Sequence, residues 1–97
     1  MKVQLSAEAK LDLKTAAEWY ENQQKGLGKR FTSTIRRELK IISQNPQQTS
    51  FRYKNIRTAV VTVFPYMIHF YIDTDAENIV IVGIFHTSLN PKDWNTR

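Results

Sequence analysis

At 97 residues, 41% hydrophobic and 24% charged, the chain suits one domain spanning 1–97 with a single modest core, and its composition excludes intrinsic disorder. It contains no cysteine, which excludes disulfides and thiolate chemistry, and no apolar run near the roughly 18 residues of a membrane span. A cytoplasmic protein with no membrane partner is therefore expected.

The net charge of +5 is unevenly spread: residues 1–45 hold nine Lys/Arg against five Asp/Glu, residues 46–72 three against none, and residues 73–97 two against four. That pattern suits a polyanionic partner, either nucleic acid or an acidic protein segment; the alternative is a merely solvated basic surface.

Residues 2–5 alternate and read as a short edge strand. Ser6 is a good helix N-cap, with Glu8 facing the positive end of the first turn. Ala9, Leu13, Ala16, Ala17 and Tyr20 then form the stripe of an amphipathic helix. "NQQKGLG" stops it, with Gly26 free to take the left-handed conformation. A second helix carries Leu27, Phe31, Ile35, Leu39 and Ile42 on one face and ends at Asn45-Pro46, because proline pushes its predecessor out of helical geometry. So short a link predicts an antiparallel helical hairpin.

Residues 51–53 form a short extended candidate, 57–64 a β-branched strand, 66–72 another, 73–78 a turn and 79–86 the last strand. In 66–72, Tyr66, Ile68, Phe70 and Ile72 line one face, and Met67, His69 and Tyr71 the other. Short links between consecutive strands imply an antiparallel meander. The expected fold is α+β, in the order β-α-α-β-β-β, with the helical hairpin laid on one face of a curved, mainly antiparallel sheet. Asn90-Pro91 reads as the cap of a short C-terminal helical turn that drops Trp94 back onto the sheet.

These stretches resemble, over nearly the whole chain, the RelE/ParE superfamily of type II toxin–antitoxin toxins. "AAEWYENQQKGLGKRF" looks like the ParE-type hairpin signature, "SQNP" resembles the second-helix exit, "IRTAVVTVFPYMIHFYID" is similar to the central strand hairpin, and "IVGIFHTSLNPKDW" matches the last strand and tail. The resemblance implies one of two activities. RelE-like members are ribosome-dependent mRNA endonucleases, whereas ParE-like members poison DNA gyrase without covalent chemistry. The long first helix and the Gly-Leu-Gly turn look more like ParE. Many relatives place an arginine three residues after the histidine; here that position is Leu89.

Cleaving RNA at its own 2′-hydroxyl needs a base, an acid and cations for the phosphorane charge. The RelE-like alternative would use His86 as acid or base, Arg57 and Arg52 as phosphate clamps, Lys54 as a cation, and Tyr66 or Tyr71 as a stacking platform. His86 ends an apolar strand, so it is either a rim group of such a site or a strand-end cap. Arg57, with no acid nearby in sequence, reads as an anion clamp. His69, mid-strand beside Met67 and Tyr71, reads as packed, and two histidines without further ligands imply no metal. Trp19, Tyr20 and Trp94 read as core and clamp residues. The Lys25–Arg30 turn lacks the preceding strand and spacing of a phosphate loop.

The leading expectation is a ParE-like toxin, with no cofactor, that arrests growth by binding gyrase. Its antitoxin would lay an amphipathic, net-acidic segment in the groove between hairpin and sheet. Target- or antitoxin-binding candidates are Arg36, Arg37, Arg52, Lys54, Arg57 and Trp94. A degenerate, non-toxic binding protein is the third reading. A homodimer and a toxin–antitoxin hetero-oligomer are both compatible with the sequence.

Overall fold

A computed structural model describes residues 1–96. The elements are β1 (Lys2–Leu5), α1 (Ala7–Gln23), α2 (Leu27–Gln44), a 3-10 turn (Pro46–Gln48), β2 (Phe51–Tyr53), β3 (Ile56–Val60), β4 (Tyr66–Asp73), β5 (Asn78–His86) and a closing 3-10 turn (Pro91–Thr96). The five strands form one sheet in the order β1-β5-β4-β3-β2. β1 runs parallel to β5 at one edge, and every other pairing is antiparallel. The expected α+β architecture holds, with the sheet mixed through that single parallel pair.

Side chains fix the helix ends. Ser6 accepts the Ala9 N–H at 3.1 Å and starts α1. Gly26 takes φ 88, the left-handed region that suits glycine. The cap of α2 comes from α1: the Glu21 carboxylate accepts the Gly26 N–H at 3.0–3.1 Å and the Gly28 N–H at 3.0 Å. An acid thus satisfies donors that the helix start leaves open, and its charge complements the helix dipole. A Cβ on Gly28 would lie 2.4 Å from the Ala17 carbonyl oxygen, so the hairpin neck closes backbone against backbone.

The core lies between the hairpin and the sheet. Phe31, Ile35 and Ile42 of α2 and Ala9 and Ala16 of α1 pack against Ile68 and Phe70 of β4 and Ile79, Ile81 and Ile84 of β5. Tyr20, Phe31 and Phe64 meet with ring centroids 4.9–5.1 Å apart. Tyr66, Ile68, Phe70 and Ile72 share one face as expected, and that face is the one packed on the helices.

Two expectations need correction. The strand expected over 57–64 stops at Val60. The Val61 N–H donates to the Tyr66 carbonyl at 2.9 Å and closes the hairpin there; Val63 then takes φ 79 and Phe64 turns into the core. Pro65 has no N–H with which to extend the ladder. Trp19, expected in the core, is 57% exposed. It stands one residue before the inward-facing Tyr20, where a helix points its side chains some 100° away.

A register shift in β5 decides which way the last strand faces. His69 pairs with Gly83, but Phe70 pairs with Ile81, so one extra residue, Val82, sits in β5. This bulge reverses the alternation. It brings Ile84 to the same face as Ile81 and turns Phe85 outward, where its ring lies over Gly83. His86, two residues beyond Ile84, therefore faces the helical side.

Candidate functional site

A groove of ≈ 840 Å³ lies between α1 and the His86 end of β5. α1 contributes Leu11, Asp12, Thr15, Trp19 and Tyr20; the strands contribute Tyr66, Ile84 and His86; the tail contributes Leu89 and Asp93. Helical spacing explains the first wall, because residues 11, 12, 15 and 19 share one side of a helix.

Asp12 ties this wall to the sheet. β1 has ended at Leu5 and no longer covers the edge of β5, and Asp12 Oδ2 accepts the Ile84 N–H at 3.0 Å. Asp12→Ala is expected to cost about 1–3 kcal/mol, because Ile84 loses its acceptor. Asp12→Asn keeps a carbonyl oxygen and should lose less; urea midpoints of the two variants check this.

His86 is exposed and acts as the cap of the turn that follows it. Its Nδ1 accepts the Ser88 N–H at 3.1 Å and lies 2.7 Å from the Ser88 hydroxyl. A backbone N–H can only donate, so the neutral ring carries its proton on Nε2. Its ring stands edge-on to Tyr66 with centroids 5.2 Å apart. Burial, then the neighbouring Tyr20 phenol and Asp12 carboxylate, raise the Tyr66 pKa; burial raises that of Tyr20. Both phenols are neutral at physiological pH and offer the groove hydroxyls rather than charge.

The other candidate residues lie elsewhere. Arg57 donates through Nη1 to the Thr49 carbonyl and stacks on the Phe51 ring at 4.0 Å. It faces the helical side near the β2 edge, opposite Phe70, whereas His86 is opposite Tyr66. Two strand spacings and four residues of rise separate them by roughly 16 Å. The structure therefore does not bring Arg57 and His86 onto one phosphate.

Arg52 lies on the outer face of the sheet, its guanidinium 5.9 Å from the Trp94 ring centre. Trp94 packs there against Tyr53 and His69, as the expected return of the tail onto the sheet requires. His69 is fully buried, with Nδ1 3.1 Å from the Tyr53 hydroxyl, a packed histidine. Lys54 is exposed at φ 47 in the β2–β3 turn. Arg36, Arg37 and Lys40 are exposed on α2 beside Lys29 and Arg30, while Glu38 takes a 3.4 Å hydrogen bond from Thr62.

Sequence reasoning missed Asp12 and the wall formed by Leu11, Thr15 and Trp19. The signal was present as an apolar residue and a tryptophan eight positions apart, off the core stripe. The groove is thus apolar and aromatic, with neutral hydroxyls, a capped imidazole, Asp12 and Asp93, and with neither Lys nor Arg among the described residues of its lining.

A family model described as the ParE toxin of the type II toxin–antitoxin system parDE matches residues 3–91. A solved structure described as the chromosomal ParDE TA system from P. aeruginosa has a similar fold. It is 20% identical, the match covers 89% of this chain and 95% of that one, and the TM-score is 0.75. Among curated proteins, none matches the sequence.

Proposed function

The chain belongs to the ParE toxin family of type II toxin–antitoxin systems, and from that premise we propose that it arrests growth by binding DNA gyrase, without covalent chemistry, and is neutralised by a cognate antitoxin. The observation that carries this reading is the charge around His86. A phosphorane needs cations beside it, yet among the described residues the groove at His86 is lined by Asp12 and Asp93 and by no Lys or Arg. Leu89, where many RelE/ParE relatives have an arginine, adds apolar surface to the same wall. The nearest match to a phosphate clamp, Arg57, is held by a carbonyl and a ring at the other end of the sheet. No observation favours the RelE-like alternative in its place.

The exposed cations of α2 supply a surface for both events. Arg36, Arg37 and Lys40 offer charge-assisted hydrogen bonds to an acidic antitoxin segment and to carboxylates or phosphates of the target complex. Neutralisation then follows from competition for one face.

Inducing the protein alone and following labelled thymidine and amino-acid uptake over the first minutes tests the target. Thymidine uptake is expected to fall first. Translation failing first would sink the gyrase reading, and arrest of neither would favour a binding protein that has lost toxicity.

A further inference from the structure

We propose that the outward face of α2 binds duplex DNA through its phosphates, without regard to base sequence and without help from another protein. This rests on the same α2 face as the binding reading above and names a partner for it; gyrase need not be the target.

Three observations converge. First, the exposed positions of α2 form a double row of cations. Lys29, Arg30, Arg36, Arg37 and Lys40 are all exposed. Helical geometry sets Lys29, Arg36 and Lys40 in one row and Arg30 and Arg37 in another, about 90° round the helix, with Ser33 and Gln44 between them. The midline of the two rows lies opposite the side that buries Phe31, Ile35 and Ile42, so both rows face water. Together they run for about 16 Å along the helix.

Second, the fold gains nothing from these charges. Lys29 and Arg30 stand in the first turn, at the positive end of the helix dipole, with no acid beside them in that turn. No cation occupies the last turn, where the dipole would favour one. Arg36 and Lys40 form a like-charge pair four residues apart, which opposes the helix. Glu38, the one acid of α2, lies off the double row and takes a hydrogen bond from Thr62. Among the described residues no carboxylate pairs with the five cations. Charge held against the helix in this way suits a polyanionic partner.

Third, the rest of the face selects among polyanions. Of the large apolar side chains of α2 only Ile41 is exposed, so an amphipathic protein segment finds no apolar row to pack on. The face holds no aromatic ring on which the bases of a single strand could stack. A duplex needs neither, because its phosphates present one negative charge per about 1.7 Å of axis. The B-form major groove, about 12 Å wide, admits an α-helix, whereas that of A-form RNA is deep and narrow. The two rows then reach phosphates on both walls of the groove.

The test uses the purified full chain and a fluorescent DNA duplex of about 20 base pairs, followed by anisotropy between about 0.05 and 0.2 M salt. Micromolar binding is expected at the lowest salt, with log affinity falling against log salt at a slope of about −4. Arg36→Gln combined with Arg37→Gln should make that slope shallower by about 2 and weaken low-salt binding about tenfold. Lys2→Gln combined with Lys92→Gln removes the same charge from exposed sites off α2 and should leave the slope unchanged. Equal effects of the two pairs would reduce the binding to net charge and overturn the proposal. So would no binding at the lowest salt, or tighter binding of a single strand or an RNA duplex of the same sequence. Tighter binding of a Glu-rich peptide of matched charge would overturn it too, and would assign the face to an acidic protein segment. Gyrase is absent from this experiment, so the gyrase reading stands or falls separately, on thymidine uptake.

Discussion

Phe31→Ala is expected to lower stability by about 3–5 kcal/mol, the cost of emptying a fully packed aromatic site. Phe31 is 0% exposed and stands where hairpin and sheet converge. Its ring stacks on Tyr20 at 5.1 Å and meets Phe64 and Tyr66 edge-on at 5.1 and 5.0 Å. Deletion therefore leaves a cavity bordered by three rings, one from α1 and two from the β3–β4 hairpin, none of which can collapse into it without leaving its other partners. A domain of this size has only about 5–15 kcal/mol to lose. The melting temperature should fall by at least about 12 °C. Phe51→Ala is the informative control: that ring is 60% exposed and touches chiefly the Arg57 guanidinium, so the loss should be under about 1 kcal/mol. Thermal and urea melts of both variants check the contrast. Equal losses would mean that the core does not lie between hairpin and sheet.

The parts of the fold that local chemistry controls were readable in the sequence. Ser6 as cap, Gly26 in the left-handed region, both helical stripes and the division of β4 into two faces all follow from periodicity and backbone preference. What was not readable depends on partners distant in sequence. β-branched residues predict strand through Val63, but the chain must leave the ladder for Phe64 to reach Tyr20 and Phe31. The bulge at Val82 is marked in the sequence only by the neighbouring Gly83, which does not fix its position, yet it turns His86 to the helical face. Arg57 has no acid near it in sequence; a backbone carbonyl and a phenylalanine ring hold it instead. Glu21 and Asp12 look like solvated helix charges, and each caps backbone N–H groups on another element. In the candidate site, His86 and Tyr66 are legible as strand-end residues, whereas the α1 wall is not, because Leu11 and Trp19 lie off the core-facing stripe of the same helix.

The exposed cations of α2, rather than His86, are the residues on which toxicity should depend. Arg36→Glu combined with Arg37→Glu is expected to abolish growth arrest and also to weaken the antitoxin. Each lost charge-assisted contact is worth about 1.5–3 kcal/mol, so the pair should weaken binding about 10²–10⁴-fold. Both side chains are exposed, and the folded protein should lose no more than about 0.5 kcal/mol per site. A normal melt would therefore assign the lost arrest to recognition rather than to unfolding. His86→Ala should leave arrest intact, because its ring caps the Ser88 turn beside two carboxylates instead of facing a phosphate. Viable counts after induction, with and without co-expressed antitoxin, read all of these effects. Arrest that survives the double reversal and is lost in a folded His86→Ala protein would reverse the assignment, since an imidazole essential for toxicity in that setting would have to act on substrate.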